Sequence, residues 1–314
     1  MKHDPVLFNE ILELLRPARE DGTFVDATVG LGGHAEGLLE ANPQLRILAI
    51  DRDPEALERS RQRLSRFGDR VTLVRGRHES LIDILKQHGI AQVTGLLADL
   101  GVSSMQLDDP ARGFSFRFDG PLDMRMGSEG TSAADLVNSL DEYELMRIIR
   151  DYGEEPMARR IANAIVTART EEPITTTTRL SEVIRSVKKS RPHQGRDHRR
   201  MSVDPSTLTF QALRIATNRE LVELDAFAGD AVSVLEPGAR AGIISFHSLE
   251  DRIIKRAFRR MEGECTCPPG MPVCGCGAKA IVEILTRHPV TASEEELGRN
   301  PRSRSAKLRV VEKV

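Results

Sequence analysis

Three carboxylates at the ends of apolar runs are the groups of this chain best placed to do chemistry: Asp26, Asp51 and Asp99. Asp26 closes Phe24-Val25-Asp26 and is followed by Ala27-Thr28-Val29-Gly30-Leu31-Gly32-Gly33-His34. Asp51 closes Ile47-Leu48-Ala49-Ile50, and Asp99 ends the run from Val93 and leads into Leu100-Gly101-Val102-Ser103-Ser104. Gly30 and Gly32 let a backbone turn tightly and come close to a ligand. Asp51 stands about 20 residues past the first glycine, where a carboxylate accepts hydrogen bonds from ribose hydroxyls. The pattern predicts a site for a nucleoside-containing cofactor.

Two cofactors compete for it. Gly30-Leu31-Gly32-Gly33-His34-Ala35 fits the G-x-G-x-x-A variant of the dinucleotide fingerprint, which by itself allows an NAD-dependent oxidoreductase. Asp26, just ahead of the turn, suits the ammonium of a methionine moiety better than a pyrophosphate. A helix opening near Gly33 directs its positive end at a carboxylate tail as readily as at a phosphate. The polar stretch Asp99–Ser104 faces the same crevice. Together these favour S-adenosylmethionine; a glycine turn serving only packing would not need all three acids.

The elements that must position these residues alternate through the first third of the chain. Asp4 and Pro5 open a helix with apolar residues at Val6, Leu7, Ile11, Leu14 and Leu15. Strands are predicted at Thr23–Val29, Arg46–Asp51, Val71–Arg75 and Val93–Asp99, with helices at Gly33–Ala41, Pro54–Phe67 and Glu79–His88. Such alternation predicts parallel βαβ units, whose ligands bind outside the carboxyl ends of the strands. Leu107 to Gly130 reads as loop. Helical signals then fill Asp135–Leu140, Asp141–Asp151, Glu155–Arg169 and Arg179–Lys189, with Asp141 and Thr178 as caps. Helices at Phe210–Thr217 and Glu220–Leu235, a strand at Ala241–Phe246, a helix at Leu249–Met261 and strands at Ile281–Thr286 and Ala306–Val311 resume the α/β pattern. The middle is therefore an all-α insertion into one sheet. The expected limits are 1–108 and 213–314 for the two parts of the α/β domain and 109–212 for the insertion.

The chain has 314 residues, 29% of them charged, yet a net charge of only −2. A polyanion partner must then be attracted by local patches. Three stand out: Arg185, Lys188, Lys189, Arg191, Arg196, Arg199 and Arg200; Arg252, Lys255, Arg256, Arg259 and Arg260; and Arg299, Arg302, Arg304, Lys307 and Arg309. One such run is usually a solvated face; three in a near-neutral chain point to nucleic acid. No apolar run is long enough to span a bilayer and no signal segment opens the chain, so a soluble cytoplasmic protein is expected. The four cysteines, Cys265, Cys267, Cys274 and Cys276, share one short segment. Their C-x-C steps are tighter than the usual C-x-x-C of zinc sites, which favours a proline-pinned thiol loop over a metal knuckle. No metal ligand is assigned.

Several blocks together resemble the RsmH (MraW) family, bacterial methyltransferases that modify N4 of a cytidine in the decoding region of 16S ribosomal RNA. They are Asp26–His34, Leu100–Asp108 (LGVSSMQLD), Arg112–Phe116 (RGFSF), Pro121–Met126 (PLDMRM), Thr209–Ile215 (TFQALRI), Ser245–Arg252 (SFHSLEDR) and Asn300–Arg309 (NPRSRSAKLR). The resemblance implies a doubly wound, Rossmann-like class I methyltransferase sheet with an inserted all-α domain. It implies S-adenosylmethionine bound by Gly32, Gly33, His34, Asp51, His78, Asp99 and Gln106, with His78 standing where relatives often carry Phe. Its substrate would be 16S ribosomal RNA, within an assembled small subunit; a homodimer is allowed for. Asp204-Pro205-Ser206-Thr207-Leu208 replaces the His-Pro-Ala-Thr-Arg of relatives, which argues against phosphate binding there.

A cytosine amine needs acceptors that aim its delocalised lone pair at the sulfonium methyl, with its proton then passing to an acceptor or water. Asp99 and Ser103 are the catalytic candidates for that positioning, against the alternative of a strand-end turn held by serine side chains. His247 and Glu250 fit a buried polar network or helix cap better. Arg112, Asp123 and Arg125 are assigned to the RNA entrance. A non-catalytic RNA-binding assembly factor is the remaining reading; the intact glycine turn, Asp51 and Asp99 weigh against it.

Overall fold

The computed structural model describes residues 5–127, 129–188, 204–265, 267 and 275–314. Asp4, Lys189, Arg191, Arg196, Arg199, Arg200 and Cys274, all singled out above, lie outside the described residues. The chain forms two compact units, Met1–Gly101 with Leu221–Val314, and Val102–Glu220. The breaks therefore fall ahead of a helix at Ser104–Asp108 and after one at Thr207–Asn218, whereas the sequence-based limits at 108/109 and 212/213 follow the first and cut the second.

In the first unit the described residues give seven strands in one sheet: β1 (Thr23–Asp26), β2 (Arg46–Asp51), β3 (Val71–Arg75), β4 (Val93–Asp99), β5 (Leu235–Ser245), β6 (Val282–Ile284) and β7 (Lys307–Lys313). Their order is β3-β2-β1-β4-β5-β7-β6. Strands β1 to β5 are parallel, and β7 runs antiparallel to both β5 and β6. This is a doubly wound, Rossmann-like sheet, with its order reversing between β1 and β4.

Side-chain alternation along each strand divides the core into two layers. Val25, Leu48, Ile50, Leu96, Ala98, Ala241 and Ile243 point to one face, and Phe24, Ile47, Ala49, Leu97 and Ile244 to the other. A period of two must do this in a sheet buried on both sides. Helices α1 (Phe8–Leu14), α2 (Gly33–Ala41) and α3 (Pro54–Leu64) pack on the Phe24 face through Ile11, Ala35, Leu38, Leu39, Leu57 and Leu64. Helix α4 (Leu81–Gln87) covers the Val25 face.

The second unit is helical: α5 (Ser104–Asp108), α6 (Ala133–Ser139), α7 (Glu142–Gly153), α8 (Ala158–Glu171), α9 (Thr177–Lys188) and α10 (Thr207–Asn218). Its own core joins Val137, Leu145, Ile149, Ile161, Ile165, Leu180, Ile184, Phe210 and Leu213. Phe210 and Leu213 show why α10 belongs here. Ser132 and Asp141 each form a capping box, with Asp135 and Glu144 respectively. The hydroxyl that caps α9 is that of Thr176, which accepts the Arg179 N–H at 3.2 Å, rather than Thr178.

The chain then returns through α11 (Leu224–Ser233) and α12 (Ser248–Met261), both on the Val25 face, and ends with α13 (Glu294–Arg299) before β7. The predicted helix to Leu235 stops at Ser233, because β5 begins at Leu235, six residues ahead of the expected Ala241. Hydrogen bonding to β4, with Val93 opposite Leu235, recruits that segment to the sheet.

Gly95 is required by a neighbouring ring. It lies opposite Phe24 in the β1–β4 pair, and a Cβ there would meet the Phe24 ring at 2.5 Å. Gly95→Ala is expected to lower unfolding stability by about 1–3 kcal/mol. Urea denaturation checks this; an unchanged midpoint would remove the packing role.

Candidate active site

Strand register brings Asp26, Asp51 and Asp99 to one end of the sheet. Asp26 is opposite Ala49 of β2 and Leu97 of β4, so Asp51 and Asp99 each lie two residues further along. All three share the strand parity of the Phe24 face. Strand β1 stops at Asp26, short of the predicted Val29, because the chain is taken over by a turn bonded to both neighbours. The Ala27 N–H donates to Leu97 O at 2.8 Å and the Val29 N–H to Ile50 O at 2.8 Å. The Thr28 hydroxyl oxygen accepts the Asp99 N–H at 2.6 Å.

The glycine turn is held by Asp51. One carboxylate oxygen accepts the Gly30 N–H at 2.8 Å and the other the Asp53 N–H at 2.9 Å. Each oxygen retains acceptor capacity for a hydroxyl. Gly32 has φ +74° and serves as N-cap of α2, a left-handed conformation that favours glycine. Gly33 begins α2 with Pro5 packed against it.

Burial sets the electrostatics. Desolvation, opposed by the Thr28 N–H bond and reinforced by the charge of Asp51, pushes the Asp26 carboxyl up to about 7. Desolvation together with the charges of Asp26 and Glu250 pushes Asp99 up to about 8. Burial also raises Asp51, against the two backbone N–H groups that bond it. The Asp99 side chain keeps 26% of its exposure, yet its Oδ1 is buried with no hydrogen-bond partner. Its Oδ2 lies 4.0 Å from Nδ1 of His34. The other ring nitrogen of His34 is 2.8 Å from Val6 O, a partner that can only accept, so Nε2 carries the proton of that bond. Such a concentration of half-neutralised carboxylates calls for a cationic ligand and repels a pyrophosphate.

His78 follows β3, and burial lowers its pKa and keeps the ring neutral. It meets Phe227 edge-on, with centroids 4.6 Å apart and an interplanar angle of 73°. Ser103 and Gln106 belong to the helical unit, where they hold each other at the start of α5. The Ser103 N–H donates to Gln106 Oε1 at 3.0 Å, and Ser103 Oγ accepts the Gln106 N–H at 3.3 Å. Ser103 Oγ thus takes part in a turn at the start of α5 and keeps a second lone pair that can accept a further hydrogen bond.

His247 and Glu250 form the N-terminal capping box of α12. Glu250 Oε2 accepts the Phe246 N–H at 2.9 Å. Its charge nevertheless reaches Asp99, a coupling that the sequence reading did not foresee. Thr28 was also missed as a bridge, although its place two residues after Asp26 is a usable signal. Arg125 pairs with Asp123 at 2.7 Å, and Arg112 donates to the carbonyls of Arg125 and Met126 at 3.1 and 2.9 Å, so these residues brace the 121–126 loop.

The basic runs divide. Lys188 pairs with Glu155 at 2.6 Å and Arg185 with Asp204 at 2.7 Å. Arg309 is buried against Asp251 at 2.6 Å. Lys255 and Arg259 of α12, the latter also 3.9 Å from the Glu264 carboxylate, line a cleft of about 200 Å³ with Arg287, His288 and Arg309, opposed by Glu262. No described helix is long and apolar enough to cross a membrane.

Comparison with known proteins gives a consistent result. The model of the MraW methylase family matches residues 1–314. Ribosomal RNA small subunit methyltransferase H of Anaeromyxobacter sp. (strain K) is 51% identical over 315 residues, covering 100% of this chain and 98% of that protein. The protein of the same name from Heliobacterium mobile is 48% identical over 99% of both chains. A solved rRNA methylase from Streptococcus thermophilus aligns with 98% of this chain and 93% of its own at 12% identity and a TM-score of 0.37. The fold assignment rests on the strand order itself.

Carboxylates with raised pKa give stability a definite sign with pH. Asp99 titrates at about 4 when unfolded but at about 8 when folded. The folded chain therefore binds more protons within that window, and stability falls as pH rises through it. Asp99→Asn is expected to flatten this fall, so that the ligand-free variant melts above the parent at about pH 8 and near it at about pH 5. Thermal scans test it; a variant melting below its parent at both pH values would refute the burial argument.

Proposed function

This chain belongs to the MraW methylase family, and from that premise we propose that it is an S-adenosylmethionine-dependent methyltransferase acting on N4 of a cytidine in the decoding region of 16S ribosomal RNA. The observation that carries this reading is the buried carboxylate cluster around the glycine turn, with Asp99 Oδ1 lacking a partner. An ammonium or sulfonium is the charge such a cluster accommodates. The names of the relatives support the RNA substrate.

In this reading Asp51 accepts the ribose hydroxyls, and Gly32, Gly33 and the N-terminus of α2 receive the methionine carboxylate. His34 stands beside Asp99, with its tautomer set by Val6. His78 borders the adenine and Gln106 completes the cofactor set. Once bound, the cofactor supplies an electrophilic methyl on a cationic sulfur. Asp99 and Ser103 are the catalytic residues: their oxygens hold the cytosine amine so that its lone pair faces that methyl. Those oxygens, or water beside them, would take up the proton that the amine sheds on methylation. Positioning supplies most of the acceleration, because the amine is a weak nucleophile held in line.

The assembled small subunit is taken as the substrate, since RNA is recognised largely by shape. The cationic cleft along α12 supports a phosphate-bearing partner. Labelled S-adenosylmethionine should transfer its methyl to small subunits from cells lacking this enzyme, with nucleoside mass spectrometry showing N4-methylcytidine. Deproteinised RNA, whole ribosomes and DNA are expected to be poor acceptors. Transfer to none of these despite cofactor binding would favour the assembly-factor reading.

Two further outcomes are expected. Cofactor affinity should rise from about pH 6 to about pH 7.5 as Asp26 and Asp99 lose protons, below the α-ammonium pKa of about 8. Calorimetry checks this, and an affinity that falls over that range would contradict the cluster's role. Replacing Lys255, Arg259 and Arg287 together by Ala should reduce the salt slope of RNA binding by about 2–3. An unchanged slope would place the RNA elsewhere.

A further inference from the structure

Three of the cysteines after α12, among the described residues, bring their sulfurs together. Sγ atoms of Cys265, Cys267 and Cys276 all lie within 4.8 Å of one another. Those of Cys265 and Cys276 are 3.7 Å apart. A tetrahedral zinc with Zn–S bonds of about 2.3 Å sets its sulfurs about 3.8 Å apart. A disulfide, at about 2.05 Å, would draw two of them much closer and leave the third out. We propose that Cys265, Cys267 and Cys276 bind a zinc ion through three thiolates.

Backbone amides support the thiolate form. The Cys267 N–H donates to Cys265 Sγ at 3.4 Å and the Gly275 N–H to Cys267 Sγ at 3.3 Å. Amides aimed at sulfur stabilise its negative charge and orient it toward a metal. Three thiolates form a soft donor set, which selects zinc over the hard cations magnesium and calcium. They account for three of the four corners that a zinc site requires.

The surroundings give the site a structural task. The segment leaves α12 as the Glu264 N–H bonds Arg259 O at 3.0 Å, and it returns as the Ile281 N–H bonds Met261 O at 2.8 Å. The Ile284 N–H also donates to the Glu262 carboxylate at 3.2 Å. The ends of the excursion are thus fixed, while among its described residues the side chains supply little apolar packing: Cys265 is exposed and Cys267 and Cys276 are only half-buried. A metal crosslink would confine this loop beside the end of α12 that carries the cationic cleft. No part of the methyl-transfer reading depends on it.

The test uses full-length protein purified without a polyhistidine tag, under reducing conditions, from cells grown with added zinc. Elemental analysis should find about one zinc per chain, as a three-thiolate structural site requires. Cobalt substitution should give thiolate-to-metal charge-transfer absorption. Cys265→Ser, Cys267→Ser and Cys276→Ser should each lose the metal to a chelator that leaves the parent loaded, while cofactor affinity stays unchanged. Removing zinc should lower the parent's melting temperature but not that of a Cys265→Ser/Cys276→Ser double variant. If the variants fold poorly, alkylation of the parent serves instead: zinc should slow modification of these three thiols and chelation should restore it. Trace zinc with no cobalt absorption would overturn the proposal. So would undiminished zinc in the triple Ser variant, or alkylation indifferent to metal.

Discussion

The crevice depends on one constraint: β1 is hydrogen-bonded in parallel to β2 on one side and β4 on the other. Parallel strands in fixed register end together, so residues at matching positions of three separate runs must meet. Asp26, Asp51 and Asp99 also share one strand parity, and a one-residue slip of any strand would send its carboxylate to the opposite face. The two apolar layers, Phe24 with Leu97 and Val25 with Leu96, are what hold the register. The chemistry at the strand ends is thus fixed by packing deeper in the sheet.

That packing has an electrostatic cost. Burial strips these carboxylates of water, and the charges of their neighbours add to that; the raised values of Asp26 and Asp99 express both. Backbone amides relieve Asp51, through Gly30 and Asp53, and a single amide relieves Asp26, through Thr28. The buried oxygen of Asp99 has no such relief. A fold without a use for that charge would do better with asparagine. Its retention accords with a cationic ligand and with the general conflict between stability and active-site preorganisation. The same argument separates the two cofactors that the glycine turn alone allowed, because a pyrophosphate would add negative charge to an already crowded site.

Tertiary structure changed the meaning of several charged and polar residues without changing their position. Arg309 looked like part of a basic patch, yet it is buried against Asp251, and Lys188 is tied to Glu155. Their partners are 58 and 33 residues away in sequence, too far for local charge patterning to register. Lys255 and Arg259 gained weight for the opposite reason: Arg287 and His288 from a distant segment join them around one cleft. The Asp204 carboxylate is engaged by Arg185 and the Ser206 N–H, an arrangement that serves the loop before α10.

The sequence by itself determined the alternation of strands and helices, the all-α nature of the middle segment, the glycine turn and the three acids, because these are written in local periodicity and spacing. His247 and Glu250 were legible as a cap for the same reason, three residues apart ahead of an amphipathic run. Only the tertiary structure decided where β1 stops and β5 starts, since hydrogen bonds to β2 and β4 set the first and hydrogen bonds to β4 the second. It alone placed the Glu250 charge near Asp99 and left one oxygen of Asp99 without a partner. It likewise gathered Cys265, Cys267 and Cys276 within reach of a single ion. Periodicity reports which face a residue takes; desolvation and through-space charge depend on what the rest of the chain brings to that face.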